Sequence, residues 1–162
     1  EFQIGPREGW ANRDGVHVFQ PRTREARDAT KRIEAQGTDA LRVIDQGHLP
    51  GTVVVEEVDL FSDRARAATP IENMMQRGRH YKQNLIFTSK RPQNISETIV
   101  KGCHTVILFG IARDDARKFK GYVGETGEDW KRVQDLGAHE YLVLGKRREE
   151  MPYWNALSPQ NT

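Results

Sequence analysis

The residues of this chain best suited to chemistry are two neighbouring carboxylates, Glu56 and Glu57, which follow the apolar run Val53-Val54-Val55. Three β-branched residues in a row predict a strand buried on both faces. In a parallel α/β sheet, ligands gather at the carboxyl ends of strands, where this pair stands. Adjacent carboxylates there can divide labour, one on a hydrated divalent cation and one on a nucleophilic water. The plainer alternative is a buried strand that ends in solvated charges. Two further strand ends carry polar groups: Ser89-Lys90-Arg91 after Leu85–Thr88, and Gly110 with Arg113 after Thr105–Phe109.

These residues need a scaffold to hold them. At 162 residues the chain is about one domain long. Charged residues make up 30% and mean hydropathy is −0.74, so a soluble protein is expected. No apolar run approaches the roughly 20 residues of a membrane helix. The start, Glu1-Phe2-Gln3-Ile4, has no basic or apolar leader region and no initiator Met; the expectation is a cytoplasmic chain, trimmed or partial. The single cysteine, Cys103, excludes an internal disulfide, and a buried structural thiol is expected. The five histidines show no ligand spacing with it, which argues against a zinc site. Ser89 and Ser96 lack the Gly-x-Ser-x-Gly setting of a hydrolase nucleophile.

Net charge is +2 but unevenly spread. Residues 64–91 hold Arg64, Arg66, Arg77, Arg79, Lys82, Lys90 and Arg91 against Glu72 alone. Such an excess attracts a polyanion, nucleic acid or nucleotide phosphate, although a solvated helix face accounts equally well for Arg64 and Arg66.

Along the chain, Val16–Phe19 alternates as a strand. Thr23–Gln36 reads as a helix stopped by Gly37, and Thr38 as the cap of a second helix closed by Gly47. Thr69-Pro70-Ile71-Glu72 is a capping box with Pro at the first helical position, and Ile71, Met74 and Met75 form the apolar stripe behind it. Further helices are expected at about Ile95–Lys101, Arg113–Tyr122 and Glu128–Leu136, and strands at Leu85–Thr88, Thr105–Phe109 and Tyr141–Leu144. The tail from Pro152 shows little pattern. Residues 1–15 form an irregular segment, 16–148 the core and 149–162 a tail. The alternation predicts an α/β, three-layer, mostly parallel sheet flanked by helices.

Taken in order, the three strand ends resemble the HerA/FtsK-type P-loop ATPases, RecA-like motors that pump DNA, to which phage packaging and zonula-occludens-toxin-like assembly ATPases are related. Val53–Phe61 looks like their Walker B strand. Arg79–Ile86 looks like the basic helix end before the sensor strand, Thr88-Ser89-Lys90-Arg91-Pro92 like their "TQRP" element, and Cys103–Phe109 like the following core strand. The resemblance covers about Val53 to Gly145. It implies ATP and Mg²⁺ as ligands, DNA and phage or virion components as partners, and a homo-oligomeric, hexameric ring. Glu56 would hold Mg²⁺ through water, Glu57 would polarise the attacking water, and Lys90 would face the γ-phosphate beside Ser89 and Arg91. Phosphoryl transfer rests mostly on such positioning and charge stabilisation. Arg79, His80 and Lys82 would meet nucleic acid, and Arg113, Arg91 or Arg79 would complete a neighbouring copy's site.

The departures from the pattern are specific. Glu56 replaces the usual Asp, Lys90 the usual Gln, and Gly110 a frequent Arg. No G-x-x-x-x-G-K-[ST] loop occurs, so poor ATP binding is expected of these 162 residues alone. In RecA-like sheets the P-loop strand is central, and without it a hole is expected between Leu85–Thr88 and Thr105–Phe109. The alternative function is a non-hydrolysing nucleic-acid-binding or structural module with a degenerate ATPase fold.

Overall fold

Residues Ala29–Gly47 form a single helix, α1, where two helices were expected. This computed structural model describes residues 18–19, 28–62, 65–90, 92–112, 133–144 and 153–156. Val18 and Phe19 have no regular structure, and the rest of the strand expected there lies outside the described residues. Gly37 does not stop α1, because its role is contact: it is buried under Phe61, and a Cβ at this position would run into the Phe61 ring. Gly37→Ala therefore gains helix propensity but overpacks this contact. We expect a net loss of about 1–3 kcal/mol in urea denaturation. A variant as stable as the parent would show that the Phe61 ring swings aside at no cost.

Helix α1 ends at His48, which adopts a left-handed conformation with φ 50°. The chain then turns into β1 (Gly51–Val55), and a 3₁₀ turn at Val58–Phe61 follows. Helix α2 (Thr69–Arg77) starts one residue differently from the capping-box reading. Ala68 is the N-cap and Thr69 makes no capping bond, but the Glu72 carboxylate does reach back, accepting from the Ala67 N–H at 3.2 Å. Ile71 and Met74 are buried as expected, and Met75 is half-buried. Between the helices the buried Asp45 carboxylate accepts from Asn73 Nδ2 at 2.8 Å, with Arg77 Nη2 at 3.6 Å. These bonds satisfy a charge that burial would otherwise penalise.

After a 3₁₀ turn at Gly78–Tyr81 comes β2 (Gln83–Phe87), parallel to β1 with Gly51 opposite Gln83 and Val55 opposite Phe87. The Gln83 side chain pins the start of this pair: it is buried and donates from Nε2 to the Leu49 carbonyl at 2.9 Å. Alternate residues separate the two faces of the pair. Val55 and Gln83 are buried, while Val54 and Ile86, paired on the opposite face, are 55% and 50% exposed. The run Val53–Val55 is thus covered on one face, not on both.

Pro92–Asn94 forms a 3₁₀ turn and α3 spans Glu97–Gly102. Strands β3 (Val106–Phe109), β4 (Glu140–Leu144) and β5 (Tyr153–Ala156) make an antiparallel sheet in the order β3-β4-β5. Leu108, Val133 and Leu142 are buried in this part of the chain. The chain divides into two compact units, the first containing α1 to β2 and the second β3 to β5.

The chain is therefore a mixed helix and strand protein with a small parallel sheet, compatible with an α/β class. Among the described residues β3 does not join β1 and β2. This differs from the single, mostly parallel sheet expected, because the ladder partner of β3 is the antiparallel β4. Strand β5, absent from the sequence reading, is stabilised by pairing with β4 and not by any alternation of its own. The helix expected at Arg113–Tyr122 lies outside the described residues, as does most of Glu128–Leu136, where Val133 and Gln134 are helical. Cys103 is half-buried and not in a disulfide.

Candidate functional site

The carboxyl ends of β1 and β2 are stitched together beyond the ladder itself. Thr88 N–H donates to the Val55 carbonyl at 3.0 Å, and Val58 N–H donates to the Thr88 carbonyl at 2.9 Å. These bonds carry the parallel pairing past the last strand residues and fix the two chain segments side by side. The turn between Val55 and Val58 then has to reverse quickly, and Glu57 does so in a left-handed conformation with φ 51°. A glutamate there is uncommon, and backbone strain of this kind gathers at functional sites. Val58 anchors the turn in the core at 1% exposure.

The strained turn aims Glu57 across to the tip of β2. Lys90 Nζ donates to Glu57 Oε1 at 2.8 Å. Next to this pair, Ser89 Oγ donates to Asp59 Oδ1 at 2.6 Å. Glu56 is exposed and adds to the negative field around Lys90. The structure thus brings together Glu56, Glu57, Ser89 and Lys90, all predicted from sequence. It adds Asp59, which the sequence reading overlooked. Its signal was available: a carboxylate two residues beyond Glu57, between the apolar Val58 and Leu60.

Glu57 is held below the usual carboxylate range, first by its hydrogen bond from Lys90 and then by the Lys90 charge. Lys90 is raised by the same bond and charge. The carboxylate's contribution is present above its ordinary pKa and fades as pH falls through the depressed one. That of Lys90 is present below its ordinary pKa and fades as pH rises through the raised one. Across neutral pH the pair is therefore fully ionised. In an NMR titration the Glu57 carboxyl should ionise at lower pH than an ordinary Glu, and in Lys90→Met it should return towards the ordinary value. An unchanged midpoint in that variant would mean the contact does not persist in solution.

Other predicted residues lie elsewhere. Arg79, His80 and Lys82 are exposed at the opposite end of β2 from Lys90. Five strand residues at roughly 3.3 Å each put them about 16 Å away. There the Tyr81 ring stacks on His48 at 4.0 Å with an interplanar angle of 8°. Arg91 and Arg113 lie outside the described residues.

Among the described residues no group of three or more His, Cys, Asp or Glu side chains could hold a metal by itself. A magnesium ion does not require such a cage, since it keeps several waters and takes one or two carboxylates together with substrate phosphates. The exposed Glu56 carboxylate fits that limited demand. Among the described residues, no helix is long and apolar enough to cross a membrane.

Compared with solved structures, the chain overlays on the genome packaging NTPase B204 from Sulfolobus turreted icosahedral virus 2. In the complex with AMPPCP the TM-score is 0.67 at 12% identity, covering 98% of this chain and 75% of B204. In the complex with AMP the TM-score is 0.65 at 12% identity, covering 97% and 75%. B204, the DNA-packaging ATPase from Sulfolobus Turreted Icosahedral Virus, gives 0.58 at 13% identity, covering 88% and 67%. The chain shares its fold with viral genome-packaging NTPases. No family model matches it, and no curated protein matches its sequence. The strand-end resemblance and the structural likeness point to the same group of packaging ATPases, and the overlay reaches beyond the Val53–Gly145 stretch on which that resemblance rests.

Proposed function

We propose that residues 16–148 are the core of an ATP-driven motor of the HerA/FtsK class, which moves DNA into a virus-like particle as a hexameric ring. The observation that carries this reading is the Glu57–Lys90 contact at the tips of adjacent parallel strands, in a chain with the packaging-NTPase fold. Glu57 is the group for the attacking water, Lys90 and Ser89 the groups for the terminal phosphate, and Glu56 the group for a hydrated Mg²⁺. The metal would supply charge neutralisation at the phosphates when bound. Arg91 and Arg113 remain candidates for a phosphate contact and for a role in a neighbouring copy's site.

Arg79 stands on the far end of the sheet from its own Glu57, so any phosphate it contacts belongs to nucleic acid or to a neighbouring copy's nucleotide. His80 and Lys82 share that end and add to its attraction for DNA. The phosphate-cradling loop is supplied by chain outside these 162 residues, adding a strand and completing three layers. Two features support this: β2 has no described partner on its second edge, and Val54 and Ile86 stand exposed beside it.

The absence of a phosphate loop from the sequence favours the second reading, a non-hydrolysing nucleic-acid-binding or structural module. Binding of a labelled ATP analogue separates the two. The full-length protein should show saturable binding that unlabelled ATP competes away, with much weaker binding by the 162 residues alone. Full-length protein that binds DNA but no nucleotide would establish the module in place of the motor.

A further inference from the structure

At the end of the β1/β2 pair remote from Glu57, basic residues flank a pair of stacked rings. Residues 46–52 and 76–84, which lead into the two strands, hold Arg77, Arg79, Lys82, His48 and His80 and neither Asp nor Glu. Asp45, just before the first of these segments, is buried, and its charge is turned inwards onto Asn73 Nδ2 and Arg77 Nη2. Arg79, His80 and Lys82 are exposed, as is His48. Such a surface draws a polyanion whatever its form.

The rings narrow that form. His48 and Tyr81 lie face to face, with centroids 4.0 Å apart and planes 8° from parallel. With the half-buried Tyr81 behind one face, the exposed His48 presents its other face to solvent. The mount under the pair is already set. Gly51 N–H donates to the Lys82 carbonyl at 3.1 Å and Gln83 Nε2 to the Leu49 carbonyl at 2.9 Å, tying the turn after His48 to the segment after Tyr81. His48 and Lys82 both take left-handed backbone, with φ 50° and 56°. Glycine or asparagine is the usual residue where a helix ends in this way, so histidine brings a ring there at the cost of strain. A ring pair held like this loses little freedom when a third ring is added.

From this arrangement we infer that the His48–Tyr81 pair is a stacking platform for an unpaired base, with Arg79 and Lys82 on the flanking phosphates, so that this end of the sheet takes a single-stranded segment of nucleic acid. This rests on the DNA contact proposed above and narrows the form of strand. Inside a duplex both faces of every base are covered by its neighbours, and only an unpaired or terminal base has a face to offer His48. Stacking of that kind is tolerant of sequence, because every base has a π-face, while the basic side chains follow the backbone.

The test is fluorescence anisotropy of full-length protein, without nucleotide, on three labelled probes of equal length: single-stranded DNA, the same backbone made abasic throughout, and a duplex. The single strand should bind about five- to a hundredfold more tightly than the abasic strand, the worth of one base stacked on an aromatic ring. His48→Asn keeps a residue at ease in the left-handed region. It should remove that margin and leave the abasic and duplex affinities unchanged. Lys82→Asn should weaken all three probes and lower the slope of log affinity against log salt by about one. A His48→Asn variant that keeps the margin, or that loses affinity for all three probes alike, overturns the platform. Wild-type protein that binds the duplex but shows no preference for the single strand over the abasic one also overturns it, while the DNA contact stands. Binding of none of the probes overturns both.

Discussion

Glu57→Gln in the full-length protein is expected to lower the ATP hydrolysis rate by roughly a hundred- to ten-thousand-fold, the usual worth of a positioned general base, while nucleotide binding is retained. Glutamine keeps the size of the side chain and its capacity to accept from Lys90 Nζ, but it cannot take a proton. Because Glu57 is exposed and its turn is fixed by the backbone of Val58 and Thr88, the substitution leaves the fold in place. Hydrolysis and analogue binding measured on the same preparation therefore separate chemistry from stability. A Glu57→Gln variant with wild-type turnover would remove Glu57 from the mechanism. Equal loss of binding and hydrolysis would place its role in holding the nucleotide instead.

Ile71→Ala should have the largest effect on stability. Ile71 is 0% exposed in the first turn of α2, directly after Pro70, in the unit that also carries β1 and β2. Truncating a fully buried isoleucine costs about 2–5 kcal/mol through lost transfer energy and the cavity left behind. That is a large part of the roughly 5–15 kcal/mol available to a domain. The urea midpoint should fall sharply with an unchanged denaturant slope. A loss below about 1 kcal/mol would mean that neighbouring side chains collapse into the space.

The site was more legible in the sequence than the architecture around it. Glu56-Glu57 and Ser89-Lys90 could be placed at strand ends because each follows a short apolar run, a signal that survives without tertiary information, whereas their side-by-side arrangement was implied only by the resemblance. The Ser89–Asp59 bond could not be read in the same way, since it depends on the register of β1 against β2. Gly37 misled for a related reason. A glycine after a helical run is a common stop, but here a ring from a residue 24 positions away occupies the space that a side chain would need. Thr69 was one position too late to cap α2, and Glu72 reaches back past the N-cap Ala68 to the Ala67 N–H instead of closing the box on Thr69. Strand β5 carries no pattern that separates it from a tail, because the backbone of β4 defines it. The two-sided burial expected of Val53–Val55 was a statement about layers, and layers are not encoded in so short a run.

The hydrogen bonds linking Val55, Thr88 and Val58 have a further consequence. They run between main-chain atoms, so the platform under Glu57 and Lys90 does not depend on which side chains stand on it. Such a mount tolerates an exchange of reactive groups without being rebuilt, much as a tool holder accepts different bits. A lineage carrying it can retune the response to its fuel by single substitutions at positions 57 and 90, while the frame around them is inherited unaltered.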